Sequence, residues 1–220
     1  MNVILFGASG MVGQGVLREC LLATDVERVL SVVRAPTGEQ HAKLRELVHR
    51  DFHDFSNAES TLTELDACFF CLGVTSSGMT EEAYAHVTYD IAVAAAQTLA
   101  RLNPRMTFVF VSGAGTDSTE RGRVMWARVK GRTENAIFRM PFAASFAFRP
   151  GLIRPMHGVK SRTLSYRVFY TLAWPIMPLL VRFLPKYVTT TEQIGRAMLG
   201  VARHGYPKRI LESVDINAVK

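Results

Sequence analysis

Apolar residues recur along the chain in two rhythms. Short runs rich in β-branched and aromatic residues, such as NVILF, RVLSVV, ACFF and TFVFV, alternate with longer stretches in which apolar positions return every three or four residues. The first pattern fits strands buried on both faces and the second fits amphipathic helices. Their alternation implies βαβ crossovers and a parallel sheet. Strands are predicted near 2–6, 28–33, 46–51, 67–72, 107–112, 144–149 and 208–212, and helices near 11–23, 80–102, 122–139, 161–183 and 191–204. Thr191 is placed as the N-cap of the last helix, with Ile194, Met198 and Val201 on its buried face. The expected architecture is a doubly wound α/β fold, a parallel sheet of about seven strands with helices on both faces and a short C-terminal helical extension over the site. No repeat or low-complexity linker interrupts the chain, so residues 1–220 are expected to form one domain. Residues 150–190 or so would form a lid or interface on the substrate side.

The first strand runs straight into ASGMVGQGVLREC, which sets Gly7, Gly10 and Gly13 as GxxGxxG at a strand-to-helix turn. In a Rossmann turn the first glycine permits the tight bend, the second lets backbone approach a pyrophosphate, and the third lets the helix pack on the strand. Free N–H groups at the helix start then meet the negative charge. Ser9 can add a hydroxyl, and Met11 and Val12 complete the loop. The second strand ends in Arg34, where NAD-binding folds commonly carry an acid for the ribose hydroxyl. A guanidinium there suits a 2′-phosphate, so NADP(H) is expected in preference to NAD(H). Lys43 and Arg45 are further cations that fit this role or an ordinary surface. After the third strand, Asp51 could accept from the adenine amino group or simply cap the loop, and Phe52 would border the ring.

Composition narrows the picture further. With 48% hydrophobic residues the chain can bury a continuous core without crosslinks. The formal charge of +7 comes from scattered Arg and Lys with no aromatic-basic platform, which argues against nucleic acid as a partner. Three cysteines lie in apolar stretches. Cys68 and Cys71 form a CxxC inside a strand pattern, where neither is presented for redox or metal chemistry, so no metal is expected. Unpaired thiols, and a first strand that begins at Asn2 with no signal peptide ahead of it, suggest a cytoplasmic protein.

Taken in order, FGASGMVG, Arg34, CLGVT, FVFVSGAG, VKGRTEN and FRPG give the chain a specific likeness. It resembles the atypical short-chain dehydrogenase/reductases, in particular the small NAD(P)H-binding, epimerase/dehydratase-like members. The resemblance implies a pyrophosphate loop at Gly7, Ser9, Gly10, Met11 and Val12, and a 2′-phosphate contact at Arg34. It also implies a nicotinamide-side ribose loop at Leu72, Gly73 and Thr75, an active-site Ser112 and Lys130, and a closing turn at Arg149, Pro150 and Gly151. Active relatives carry a tyrosine four residues before the lysine, and here that position is Trp126. Indole N–H donates but does not titrate near neutrality, so Trp126 can orient a carbonyl without relaying its proton. Tyr84, His86, Tyr89 and His157 are the other candidates for that proton, and Gly113, Ala114 and Gly115 could expose amides beside Ser112.

Residues 168–181, VFYTLAWPIMPLLV, form an apolar stretch broken by Pro175 and Pro178 and flanked by cations. It is shorter than the roughly 20 residues a membrane span needs. Three readings stay open: a lid over an apolar pocket, a subunit interface such as a homodimer would use, or peripheral contact with anionic lipid. Each favours a small apolar substrate. The expected activity is hydride transfer on an apolar carbonyl or alcohol, and the alternative is a non-catalytic NAD(P)H sensor that acts through protein association.

Overall fold

The computed structural model describes residues 1–159, 184 and 186–219. In chain order the elements are β1 (Asn2–Phe6), α1 (Met11–Leu22), β2 (Arg28–Val33), β3 (Leu44–Val48), a 3-10 turn (Ser56–Thr61), β4 (Ala67–Phe70), α2 (Glu81–Ala85), a π turn (His86–Asp90), α3 (Ile91–Leu102), β5 (Thr107–Val111) and α4 (Met125–Phe138). Then follow β6 (Ala144–Arg149), β7 (Leu152–Arg154), β8 (Val188–Thr190), α5 (Thr191–His204), β9 (Ile210–Glu212) and α6 (Ser213–Ala218). Seven strands form one sheet in the order β3-β2-β1-β4-β5-β6-β9, and every neighbouring pair in it is parallel. β7 and β8 make a separate parallel pair.

Both sheet faces are covered, which is why the strands read as unbroken apolar runs. Along β1, Val3 and Leu5 enter a core shared with Val16 and Cys20 of α1 and with Ile194 and Met198 of α5. Ile4 and Phe6 enter the opposite core with Ala92, Ala95, Ala96 and Leu99 of α3 and Ile137 of α4. Burying each large aliphatic or aromatic side chain contributes about 1.5–3 kcal/mol relative to exposure. The Cys68 side chain belongs to the second core and Cys71 packs against the first. The two thiols of the CxxC therefore point to opposite faces of the sheet, as strand alternation requires.

The helix expected over 80–102 is broken by the π turn. Strands β4, β5 and β9 are shorter than expected, and three further differences have identifiable reasons. β3 starts two residues early because Leu44 pairs with Val29 and continues the register through Val48. α4 starts at Met125 because the Asp117 carboxylate gathers the amides of Thr119, Arg121 and Gly122, which holds the approach in a loop. The N-cap of α5 is Thr190, whose hydroxyl accepts from the Gln193 amide at 2.9 Å. The Thr191 hydroxyl instead accepts from the Met156 amide at 3.1 Å. The helix expected at 161–183 and the apolar stretch 168–181 lie outside the described residues. Among the described residues no helix is long and apolar enough to cross a membrane.

Candidate cofactor and active site

From β1 the chain builds the sheet outward through β2 and β3, then returns to β4 and builds the other way. The strand order reverses between β1 and β4, and loops leaving the carboxyl ends on either side of such a point diverge to leave a crevice. Here the crevice is a cleft of about 580 Å³, within the usual range for ligand sites. A larger hollow of about 910 Å³ lies between the π turn and α4. Its polar groups answer one another, Arg128 with Glu81, His86 with Asp90 and Arg132 with the Tyr89 ring, and it has no glycine cradle.

Gly7, Ser9, Gly10, Met11 and Val12 line one wall of the cleft. Gly7 sits at φ +83°, and a Cβ there would stand 2.8 Å from the Cys71 carbonyl. A Cβ on Gly13 would stand 2.0 Å from the Gly7 carbonyl oxygen, so Gly13 serves by packing and not by lining the cleft. The Gly10 amide closes the turn onto the Gly7 carbonyl at 2.9 Å. α1 begins with no side-chain cap and no acid in its first turn. Its first amides and the positive end of its dipole are thus left for an anion. Leu72, Gly73 and Thr75 form the facing loop, and nothing stands within 4 Å of where a Gly73 Cβ would be. Bare backbone on both walls fits a dinucleotide, whose pyrophosphate and ribose need close backbone approach.

Arg34 is exposed on the cleft wall and, among the described residues, has no hydrogen-bond or ion-pair partner. Lys43 donates instead to the Ala23 carbonyl at 2.7 Å, and Arg45 to the Leu44 carbonyl at 2.8 Å. Asp51 is exposed, is not among the cleft's lining residues and accepts from the His53 amide at 2.9 Å. Phe52 borders the cleft, edge-on to Phe6 and Phe55.

At the other end, Ser112 and Lys130 both line the cleft. The Lys130 ammonium donates to the Ser112 carbonyl at 2.8 Å. Burial pulls Lys130 down to about 8, with the Glu134 carboxylate opposing that shift. The Ser112 hydroxyl meets the Thr116 hydroxyl at 2.9 Å, and Thr116 also donates to the Gly113 carbonyl at 2.8 Å. Trp126 stands on α4 one turn before Lys130, with its ring 4.0 Å from the Cβ position of Gly113 and 3.7 Å from that of Gly115. It packs on the 113–115 loop and is not part of the cleft lining. Ala114 offers no free amide, because its N–H goes to the Pro150 carbonyl at 3.0 Å.

Pro150 and Gly151 line the cleft, but Arg149 does not. It turns into the protein and forms an ion pair with Glu134, which is fully buried, through Nε at 3.0 Å and through Nη2. It also reaches the Ser118 hydroxyl. The alternative proton donors fall elsewhere as well. Tyr84 is buried and its phenol pushed up by that burial, while Tyr89 lies under the Arg132 guanidinium at 3.9 Å. His86 stacks on His53 with ring centres 4.2 Å apart, and His157, at φ +55°, bonds the Glu192 carboxylate. Cleft residues the sequence did not single out are Val74, Val87, Ile91, Val111 and Ile153, and Cys71, read from the sequence only as half of a CxxC, lines the cleft too. Val111 and Ile153 sit beside motif residues and could have been found by adjacency. Val87 and Ile91 reach the cleft at the π turn and just after it, a feature with no pattern of its own in the sequence.

A doubly wound parallel sheet with a glycine turn at its switch point, Ser112 just past β5 and Lys130 on α4 defines a dinucleotide-binding fold of the short-chain dehydrogenase/reductase type. The chain belongs to the NAD dependent epimerase/dehydratase family, whose pattern it matches over residues 3–119. Over 159 residues it is 29% identical to the mitochondrial protein Fmp52 of Emericella nidulans, a match covering 69% of this chain and 66% of that protein, just under two thirds of its length. Among solved structures it resembles WbmF of Bordetella bronchiseptica in complex with NAD+, with TM-score 0.68 and 14% identity over 99% of this chain and 76% of that one. It also resembles Gre2 of Candida albicans in complex with NADPH, with TM-score 0.69 and 14% identity over 96% of this chain and 77% of that one. These structural likenesses show the fold. They include an NAD+ and an NADPH complex and do not choose between the cofactors. The cytoplasmic placement read from the sequence is overturned by the curated relatives, which are named as mitochondrial proteins. Free buried thiols report that no disulfide forms among them, which holds in any reducing compartment.

Proposed function

We propose that the protein binds NADP(H) in this cleft and exchanges hydride with a small apolar carbonyl or alcohol. The observation that carries this reading is the joining, in one cleft, of an anion cradle, an Arg34 that no described residue partners at the adenosine end, and Lys130 at the other. Val74, Val87, Ile91, Val111 and Ile153 give the cleft apolar walls, which favours an apolar substrate. The pyrophosphate would lie on the Gly7–Val12 turn, with the 2′-phosphate on Arg34. When bound, the dinucleotide supplies or accepts the hydride.

The test is a parallel fluorescence titration with NADPH and NADH. Wild type is expected to bind NADPH more tightly. Arg34→Asp should weaken NADPH binding by about tenfold to a hundredfold, the equivalent of one lost charge-assisted hydrogen bond of roughly 1.5–3 kcal/mol, and should leave NADH favoured. Unchanged NADPH affinity in the variant would refute the role of Arg34. Trp126 at the tyrosine position favours a second reading, a dinucleotide sensor without turnover. Saturable NADPH binding with no oxidation of the cofactor across a broad panel of carbonyls would select it.

A further inference from the structure

We infer that Lys130 itself exchanges the proton with the substrate oxygen, in place of the tyrosine that Trp126 displaces. The inference rests on the oxidoreductase reading above and follows from an inventory of the protons at the cleft.

A hydroxyl carries one hydrogen. Thr116 spends its own on the Gly113 carbonyl, so the 2.9 Å contact between the Thr116 and Ser112 hydroxyls must be supplied by Ser112. Ser112 is therefore an acceptor toward anything in the cleft and is not free to protonate an alkoxide. Among the described residues that line the cleft, the titratable side chains are Arg34, Cys71 and Lys130. Arg34 lies at the end of β2, at the opposite end of the cleft from Ser112. Burial pushes the Cys71 thiol up, so it holds its proton. Lys130 remains. One of its three N–H bonds goes to the Ser112 carbonyl at 2.8 Å, and among the described residues no other acceptor takes the remaining two, which can meet an incoming oxygen.

The surroundings keep Lys130 ready to release a proton. The carboxylate that acts on it most directly is Glu134, one turn further along α4, and Glu134 is already closed by Arg149 from β6. Trp126, one turn earlier on α4, carries no charge, and Cys71 across the cleft is a neutral thiol. Desolvation then lowers the ammonium to about 8, near the pH at which a group can both give and take a proton.

In the reductive direction, the hydride pair supplied by the dinucleotide forms a C–H bond at the carbonyl carbon. The C=O π pair moves onto oxygen, which takes a proton from Lys130 Nζ. One N–H bond breaks and one O–H bond forms. The substrate is reduced to the alcohol, the nicotinamide is oxidised, and the neutral amine recovers its proton from solvent. In the oxidative direction the neutral amine accepts the alcohol proton.

The first measurement is NMR titration of the cofactor-free protein carrying isotope-labelled lysine ε-carbons. One resonance, absent from Lys130→Arg, should titrate near 8, well below the reference lysine value of about 10.4. Lys130→Arg keeps the charge and the donors but holds its proton throughout. In single turnover with NADPH and benzil, an apolar diketone, the wild-type rate should fall tenfold per pH unit above that value. Lys130→Arg should lose roughly 10²–10⁴-fold, the usual contribution of general acid catalysis. Titration of Lys130 with the other lysines overturns the inference, as does reduction of benzil by Lys130→Arg at the wild-type rate. NADPH binding with no turnover in wild type also overturns it, in favour of the sensor. Failure of wild type to bind NADPH at all refutes the oxidoreductase reading instead.

Discussion

Arg149 and Glu134 meet where β6 ends against α4, and both are withdrawn from water. A carboxylate this deep is tolerable only with a partner, because removing one member of a buried pair leaves the other charge uncompensated. The arrangement separates two roles that the sequence alone merges, since an arginine before Pro150 and Gly151 looks like part of the cofactor turn. Arg149→Met should therefore act on stability. The expected loss is about 3–5 kcal/mol, or a melting temperature lower by roughly 6–20 °C in a domain of this size. The fraction that stays folded should bind NADPH with near wild-type affinity. A stable variant with impaired binding would return Arg149 to the cofactor site.

Among the elements, the helices α1 and α5 cross in near contact through glycines. A Cβ on Gly15 would stand 2.6 Å from that of Thr191, and one on Gly195 would stand 2.8 Å from the Glu19 side chain. Gly195→Ala should cost about 1–3 kcal/mol, as overpacking of a tight contact does, measurable by chemical denaturation. An unchanged midpoint would show that Glu19, held by Arg18 and Arg196, can swing aside. The sequence makes such elements legible in proportion to their length. β1, β2 and β6, with two covered faces and β-branched or aromatic runs, match the predicted spans, and α3 carries a periodic alanine and leucine stripe. Three-residue strands such as β7 and β8 are too short for any periodicity to register, and α6 starts from a capping box of Glu212 and Asp215 that departs from the usual Ser/Thr and Glu/Gln signature. The glycine turn, Ser112 and Lys130 could be read as motifs because their chemistry is tied to spacing. The directions taken by Arg149 and Asp51 could not, because they depend on which partner lies nearer in space.

At the scale of the whole molecule, the residues after 186 are held to the rest at several independent places. β8 pairs with β7, β9 with β6, and α5 packs on α1. Arg203 reaches Asp25 in two hydrogen bonds, and Arg209 reaches the Ser145 hydroxyl and the Phe138 carbonyl. Every described residue that lines the cleft, meanwhile, lies between Gly7 and Ile153. The peptide linkage between these two portions is thus not what keeps them together. Expressed as two separate polypeptides, 1–159 and 184–220, they should find each other and co-purify, and the reconstituted pair should still bind NADPH. If the pieces part on a sizing column, the assembly depends on the intervening chain. If they stay joined, that chain becomes an exchangeable cassette, open to replacement by segments of other lengths without rebuilding the nucleotide platform.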